Sequence, residues 1–429
     1  MKKILNEELE KIKISPEGEQ YLENIAEKVI SKLDQRLGKK NIDASVFIGG
    51  SLAKNTLIRK KKYDIDLFLR FNKKYSEQEM KKIFKRLFVW FRIRGERVKV
   101  RRLHGSRDYY RVFFKRSGIS VEVIPVVKIS KPEQARNLTD LSYFHVKYIG
   151  DKIEKKKGLD DEIRLAKSFA HACHCYGAES YIHGFSGYAL EILVSHYKSF
   201  KKFLQEIVKA DGQIVIDSGK HYKTKKNILE SLNPTKTKSP IILIDPTFKE
   251  RNAARALSKE TLSRFRAVAK QFLKEPGSEF FEPKKVDILG MKEKAKEVEG
   301  IFAVFEFKTK KQPGDIAGTK MLKFSRFLTK ELKNVYEIEE RKFDYPGLKR
   351  ARFYVVLKRK KEIIFNGPEL HRKESVKKFK EKHKIWYEEE GRVKSAKATD
   401  LSIKEFLKMF KRGNKRTIKQ MSVRKVKLV

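Results

Sequence analysis

The sequence predicts a multidomain α+β protein, on three observations. At 429 residues the chain exceeds what one hydrophobic core usually fills. Runs with strand-like alternation and runs with helical spacing follow one another along most of its length. It is 40% hydrophobic and 11% aromatic, enough for real cores although 36% of it is charged.

The elements follow in order. Ser15-Pro16 reads as an N-cap and first helical position, with Leu22, Ile25, Val29, Leu33 and Leu37 at helical spacing and Gly38 as the stop. "ASVFIGGS" (44–51) is a strand entering a Gly-Gly turn, followed by a short helix, and "YDIDLFLRF" is the next strand. "YSEQEMKKIFKRLFVWF" (75–91) is an amphipathic helix, with "ERVKVRRL", "YRVFFKR" and "ISVEVIPVV" as three further strands. From about 158 to 210 the pattern is helical. The stretch 215–245 reads as irregular and basic, ending in "IILIDP", and Ser258 caps a helix to 275. Strand-like "IFAVFEF" and "RARFYVVLK" then flank the helical "KMLKFSRFLTKEL", and residues 370–429 mix helix with charge. Trp90 and Trp386 read as packing residues.

Lys and Arg total 101 against 55 Asp and Glu, a formal charge of +46, which favours a polyanionic partner such as nucleic acid. Only Cys173 and Cys175 occur, which excludes a disulfide framework and suits a reducing cytosol. There is no apolar run long enough to span a membrane, and "MKKILNEELEKI" lacks a signal-peptide core.

The informative oddity is "KYDIDLFLRF" (62–71), which sets Asp64 and Asp66 in an otherwise apolar strand. Side chains alternate across a strand, so both carboxylates share one face. Buried together they would raise each other's pKa, and a hard divalent cation removes that penalty; beside phosphates this is usually Mg²⁺. Glu122, between Val121 and Val123, is a third acid in an apolar strand. Alone, an Asp-x-Asp pair also suits an edge strand facing water. Upstream, "FIGGSLAKNT" offers Gly49 and Gly50 for close approach of backbone N–H groups to an anion, the Ser51 hydroxyl and the Lys54 cation. A phosphate cradle followed by paired metal-binding acids describes a nucleotide site.

With these residues the sequence resembles the nucleotidyltransferase superfamily with a polymerase-β-like palm, a mixed sheet with helices. "VEVIPVVKI…TDLSYFHVKYI", "LAKSFAHACHCYGAESYIHGFSGYALEILVSHYKSF", "IDPTFKERNAARALS" and "FNGPELHRKESVKKFKEKH" are similar, in order and spacing, to archaeal-type (class I) CCA-adding enzymes. The resemblance implies template-independent addition of C, C and A to the 3′ end of tRNA from CTP and ATP, with two Mg²⁺ ions, in a cytoplasmic homodimer. It implies a head or palm over 1–150, a helical neck over 151–235, a body from 236–283 with 351–429, and a tRNA-binding tail over 284–350. By motif, Asp64, Asp66 and Glu122 are the catalytic metal carboxylates and Ser51 and Lys54 hold the triphosphate. His145, Lys167 and Tyr176 match positions that contact the nucleotide, and Arg251 matches the arginine that helps read the base.

The pattern departs from the family at two of these positions. Glu122 stands where relatives usually have Asp, and Lys54 where they carry Arg, a point charge in place of a fork. The linker "IRKKKY" is unusually basic. "HACHC" sets His171, Cys173, His174 and Cys175 close together without a second cluster to complete a zinc site. Lys167, His171 and His174 share a helical face. The basic stretches 284–350 and 408–429 suit an acceptor stem, or a merely solvated face. Two rival readings remain compatible with the residues: another RNA nucleotidyltransferase of poly(A)-polymerase type, and a non-catalytic tRNA-binding protein.

Overall fold

Two helices open the chain, α1 (Lys2–Ile12) and α2 (Pro16–Gly38). Pro16 pre-sets the first turn of α2, and the Ser15 hydroxyl accepts the Gly18 N–H at 3.2 Å. Then come β1 (Ala44–Ile48), β2 (Asp64–Asn72), α3 (Glu77–Leu87), β3 (Val98–Leu103), β4 (Tyr109–Phe114) and β5 (Ser120–Lys128). The five strands form one sheet in the order β1-β2-β5-β4-β3, with β2 and β5 parallel and the other pairs antiparallel. Alternation decides its two faces. Ile65, Leu67, Leu69 and Phe71 of β2 enter one core with Val121 and Val123 of β5, closed by α2 and by Met80, Phe84 and Leu87 of α3. Asp64 and Asp66 therefore lie on the face that these helices leave open.

The computed structural model describes residues 1–60, 62–360, 362–383, 385–398 and 401–429. They divide into two compact units, Met1–Pro283 and Lys284–Val429. After the sheet, the first unit continues with α4 (Ser142–Lys155), α5 (Leu159–Ala172), α6 (Gly187–Tyr197), α7 (Phe200–Lys209), β6 (Ile214–Asp217), α8 (Lys225–Ser231), α9 (Pro234–Thr237), β7 (Ile241–Asp245), β8 (Phe248–Asn252) and α10 (Lys259–Lys274). One core joins Ile12, Ile149, Phe169, Leu193, Phe203, Leu243, Phe265, Phe272 and Phe281.

That core redraws the domain limits expected from the sequence. Ile12 packs with the helices of the 151–235 segment rather than with the sheet, and residues 241–281 complete the same core instead of belonging to a separate body. The stretch read as irregular holds β6, which pairs parallel with β7 in the order β6-β7-β8. Four residues of strand carry too little alternation to be recognised before their partner is known.

The second unit contains α11 (Ile288–Glu297), β9 (Ile301–Thr309), α12 (Asp315–Leu332), β10 (Tyr336–Asp344), β11 (Arg350–Arg359), β12 (Glu362–Glu369), α13 (Lys373–Lys382), β13 (Tyr387–Glu389), β14 (Arg392–Ala398), α14 (Ile403–Gly413), α15 (Lys415–Gln420) and β15 (Val423–Leu428). Its main sheet runs β10-β11-β9-β15, and a small one runs β12-β14-β13. Phe305, Phe307 and Phe353 pack on Phe324 of α12 and on Phe406 and Phe410 of α14. The expected split into a 284–350 tail and a 351–429 body does not hold, because β11 and β15 pair with β9 and bind both stretches into one core.

The two tryptophans are not core residues. Trp386 is 43% exposed with Lys380 Nζ 3.5 Å from the ring centroid, and Trp90 is 81% exposed.

Candidate active site

The register of the first sheet assembles the acids. In the parallel β2–β5 pair Asp66 stands opposite Glu122 and Asp64 opposite Ser120, and in the β4–β5 pair Arg111 stands opposite Glu122. Directly opposed residues on neighbouring strands share a face and lie within about 5 Å. Asp66, Glu122 and Arg111 thus form a row across three strands. Arg111 Nε donates to Glu122 Oε1 at 2.8 Å. Burial, then the charges of Glu122 and Asp64, push the Asp66 carboxyl up to about 7, outweighing Lys54. Burial also raises Glu122, against the pull of Arg111.

The Gly-Gly turn closes over this row. The Gly49 N–H donates to the Asp66 carbonyl at 2.8 Å, and Gly50 has φ +61°. A Cβ on Gly50 would come within 2.1 Å of Asp66 Oδ2, so only glycine lets the backbone lie against the carboxylate. The short helix expected after it is a run of turns from Gly50 to Asn55. Asn55 adopts φ +50° and the Thr56 N–H returns to the Ser51 carbonyl at 3.0 Å, which ends the turn before a helix can propagate. Anion attraction there falls to individual N–H groups and the half-buried Ser51, without a helix dipole.

Next to the turn lies a buried ionic cluster. Lys54 Nζ donates to Glu191 Oε2 at 2.5 Å, and Lys167 Nζ donates to Glu191 Oε1 at 2.7 Å and to Thr56 Oγ1 at 2.8 Å. Burial alone would raise Glu191, but Lys167 and Lys54 outweigh it and hold the carboxyl at about 2. Burial, helped by Lys54, pulls Lys167 down to about 8 although Glu191 opposes it. Arg164 fixes α5 to the same loop: it donates to the carbonyls of Asn55 and Leu57 while pairing with Asp160 and Asp161. Tyr176 stacks on His171 with centroids 3.9 Å apart, and Lys60 Nζ lies 5.6 Å from its ring. Cys175 is buried, its Sγ directed to the carbonyls of Cys173 and Thr261.

A second cluster surrounds Asp245. Arg251 Nη1 donates to Asp245 Oδ2 at 2.6 Å, and Tyr188 Oη donates to Oδ1 at 3.0 Å. His145 Nε2 lies 3.1 Å from both Asp245 Oδ2 and Arg251 Nη1, so it serves one as donor or the other as acceptor, not both at once. Its ring stacks on Tyr188 at 4.0 Å. Burial lowers His145, outweighing Asp245. Burial would raise Asp245, yet its contacts to His145 and Arg251 hold it far below the usual carboxylate range.

Eight of the nine residues singled out in the sequence therefore fall into three neighbourhoods. Asp64, Asp66 and Glu122 share a sheet face beside Ser51; Lys54 and Lys167 converge on Glu191; His145 and Arg251 converge on Asp245. Tyr176 lies between the first two: it packs with His171 and Lys60, and the charges of Glu191 and Asp66 add to burial in raising its hydroxyl. Sequence reasoning missed Glu191, Asp245, Tyr188 and Arg111. The first two carried the signal that found Glu122, an acid in an apolar run, in "YALEILV" and "IILID".

Among the described residues no three His, Cys, Asp or Glu side chains stand grouped as metal ligands, with Glu122 committed to Arg111. The donor set nonetheless suits a hard divalent cation. It is all oxygen, lies on one face, and contains a carboxyl driven toward neutrality by its neighbours.

The fold resembles that of the poly(U) polymerase Cid1 solved with Mg and 3′-dATP, with a TM-score of 0.50 at 15% identity over 66% of this chain and 98% of that one. A second Cid1 structure, described for RNA terminal uridylyl transferase activity, gives a TM-score of 0.51 at 14% identity over the same shares. The fold is that of the polymerase-β-like nucleotidyltransferases. Residues 161–282 match the family described as "tRNA nucleotidyltransferase, second domain". The CCA-adding enzyme of Nanoarchaeum equitans is 32% identical over 367 residues, 85% of this chain and 86% of that protein. The CCA-adding enzyme of Methanocaldococcus jannaschii is 32% identical over 292 residues, 66% of this chain and 61% of that protein.

The chain belongs to the CCA-adding enzymes. It is accordingly a tRNA nucleotidyltransferase, of the family that adds CCA to tRNA without a nucleic-acid template.

Proposed function

We propose that nucleotidyl transfer takes place on the open face of the first sheet, from CTP and ATP to the 3′-hydroxyl of tRNA, with pyrophosphate leaving. The facing register of Asp66 and Glu122, with Asp64 two residues away, carries this reading. Asp64, Asp66 and Glu122 would hold divalent cations, two Mg²⁺ ions being the set that suits in-line displacement. Such ions supply the positive charge that stabilises the attacking and leaving oxygens.

The chain's own residues supply the rest. Lys54 and Lys167 share one carboxylate, so the cluster keeps a net positive charge beside the Gly-Gly turn. A triphosphate tail would offset that surplus, with the N–H groups of the turn and the Ser51 hydroxyl as further donors. Tyr176, braced by His171, offers a ring face to the nucleotide. Arg251 commits only Nη1 to His145 and Asp245 among the described residues, which leaves the rest of its fork for a base edge. A pocket built of buried donors discriminates between bases because a wrong base leaves the donors unpaired. RNA binding would rest on backbone phosphates and helix shape.

The test is incubation with tRNA lacking its 3′-terminal CCA, Mg²⁺ and each nucleoside triphosphate, alone and combined. Growth that stops after three nucleotides, C then C then A, supports this reading; a ladder of A would place the chain with poly(A)-type activity instead. We further propose a cytoplasmic homodimer. The two buried free thiols support a reducing compartment, and the family resemblance supports the dimer. Light scattering should then give twice the 50.4 kDa chain mass.

A further inference from the structure

The turn that leaves α3 presents Trp90 to solvent. Its ring is 81% exposed, Val89 beside it is 50% exposed, and Trp90 has a left-handed backbone, φ +49°. A bulky residue rarely adopts that conformation, and glycine or asparagine would fit it without strain. The turn is nonetheless built firmly. Arg36 of α2 donates to the carbonyls of Leu87, Val89 and Trp90 at 2.6, 2.8 and 2.9 Å, satisfying the end of α3. Beneath it Phe88 stacks on Phe91 at 4.9 Å and on Tyr110 at 4.2 Å. A large ring is thus held outward on a firm base, and among the described residues no aromatic ring or cation packs on it.

Its surroundings identify the partner chemistry. Residues 81–102 contain ten Lys and Arg and a single acid, Glu96, which is already paired with Lys28 at 2.6 Å. Lys85, Arg86, Arg92, Arg94, Lys99 and Arg101 are all exposed, and among the described residues none of them forms an ion pair with a carboxylate. So dense a cation field repels a second copy of the same surface and attracts a polyanion. An exposed aromatic face amid unpaired cations is how proteins hold unpaired nucleotides: phosphates meet the cations and a base stacks on the ring.

We propose that the Trp90 turn, with Lys85, Arg86, Arg92 and Arg94 around it, forms a second RNA-contact surface of this chain, which stacks an unpaired base on Trp90. The surface is set apart from the catalytic residues, and its test does not depend on them.

Trp386 is the chain's one other tryptophan, so W386F leaves Trp90 as the sole tryptophan reporter. A 12-nucleotide unstructured RNA should quench Trp90 emission and shield it from acrylamide, whereas a blunt RNA duplex of equal length should not. In the wild-type background W90A should weaken binding of the single strand by about 5- to 150-fold, the range for losing one base–aromatic stack. W90F should restore most of it, and W90G, which relieves the left-handed strain, should melt no lower than the wild type while binding as weakly as W90A. Titrating tRNA that lacks its CCA end, beside the oligonucleotide, shows whether the stacked base comes from the tRNA or from other RNA. Unchanged emission at saturating oligonucleotide, equal quenching by the duplex, or wild-type affinity in W90A would each overturn the proposal. So would a Trp90 signal that varies with protein concentration in the absence of RNA, which would mark a contact between copies.

Discussion

Three carboxylates in the first unit, a half-buried Asp66 and the fully buried Glu191 and Asp245, differ most in what surrounds them. Asp66 faces other acids, and its carboxyl is driven up to about 7. Glu191 is at least as deeply enclosed, but two lysines hold it at about 2. Asp245, enclosed by Arg251, His145 and Tyr188, also stays ionised. Burial acts in the same direction on all three, so the neighbours decide the outcome. An acid whose charge is answered within the fold belongs to the scaffold. One whose charge is left unanswered suits a cation from outside, and this distinguishes the face proposed for the reaction from the clusters that frame it.

The strongest way to break the comparison is D66N. It should lower CTP incorporation by about 10³-fold or more, while urea denaturation of the metal-free protein shows equal or greater stability, because an unanswered charge has been removed. If D66N unfolds the protein, Asp66 is structural and the distinction fails. E191A should do the reverse and destabilise the fold by about 3–5 kcal/mol, as it strands Lys54 and Lys167 without a counter-charge; the same denaturation curves measure it.

Acid titration sharpens the contrast. Glu191 sits at about 2 in the folded chain against 4.5 for an ordinary glutamate. Its stabilisation is fully present above pH 4.5 and is lost as pH falls toward 2. E191Q should flatten that part of the stability curve, provided it still folds at neutral pH. The smallest effect is expected at Arg111, whose guanidinium sits on Glu122. R111A should tighten Mn²⁺ binding by about 10-fold, read by electron paramagnetic resonance without substrate, since a fixed cation near a metal site opposes the ion.

The shared face of the acids was legible because its signal is local. Asp64 and Asp66 stand two apart in an apolar strand, Gly49-Gly50 precede them, and period-two alternation places both acids together whatever the sheet order. The clusters around Glu191 and Asp245 were not legible as clusters. Glu191 meets Lys54 from 137 residues away and His145 meets Asp245 from 100, and no spacing rule links such positions. Lys54 was read as a free cation for phosphate, because its sequence neighbourhood shows no acid. Trp90 was read as a packing residue; the left-handed turn that turns it outward is held by Arg36, more than fifty residues earlier.

The sequence by itself determined the α+β class, the shared face of the two aspartates, the need for glycine at the turn and the basic character of the whole chain. Each follows from local geometry or from composition. Only the tertiary structure decided that Glu122 faces Asp66, that Lys54 and Lys167 share one carboxylate, and that the last strand returns to β9 to merge two expected domains into one. These are choices among distant partners, fixed by strand register and by the burial of charge, and neither is set until the chain has closed on itself.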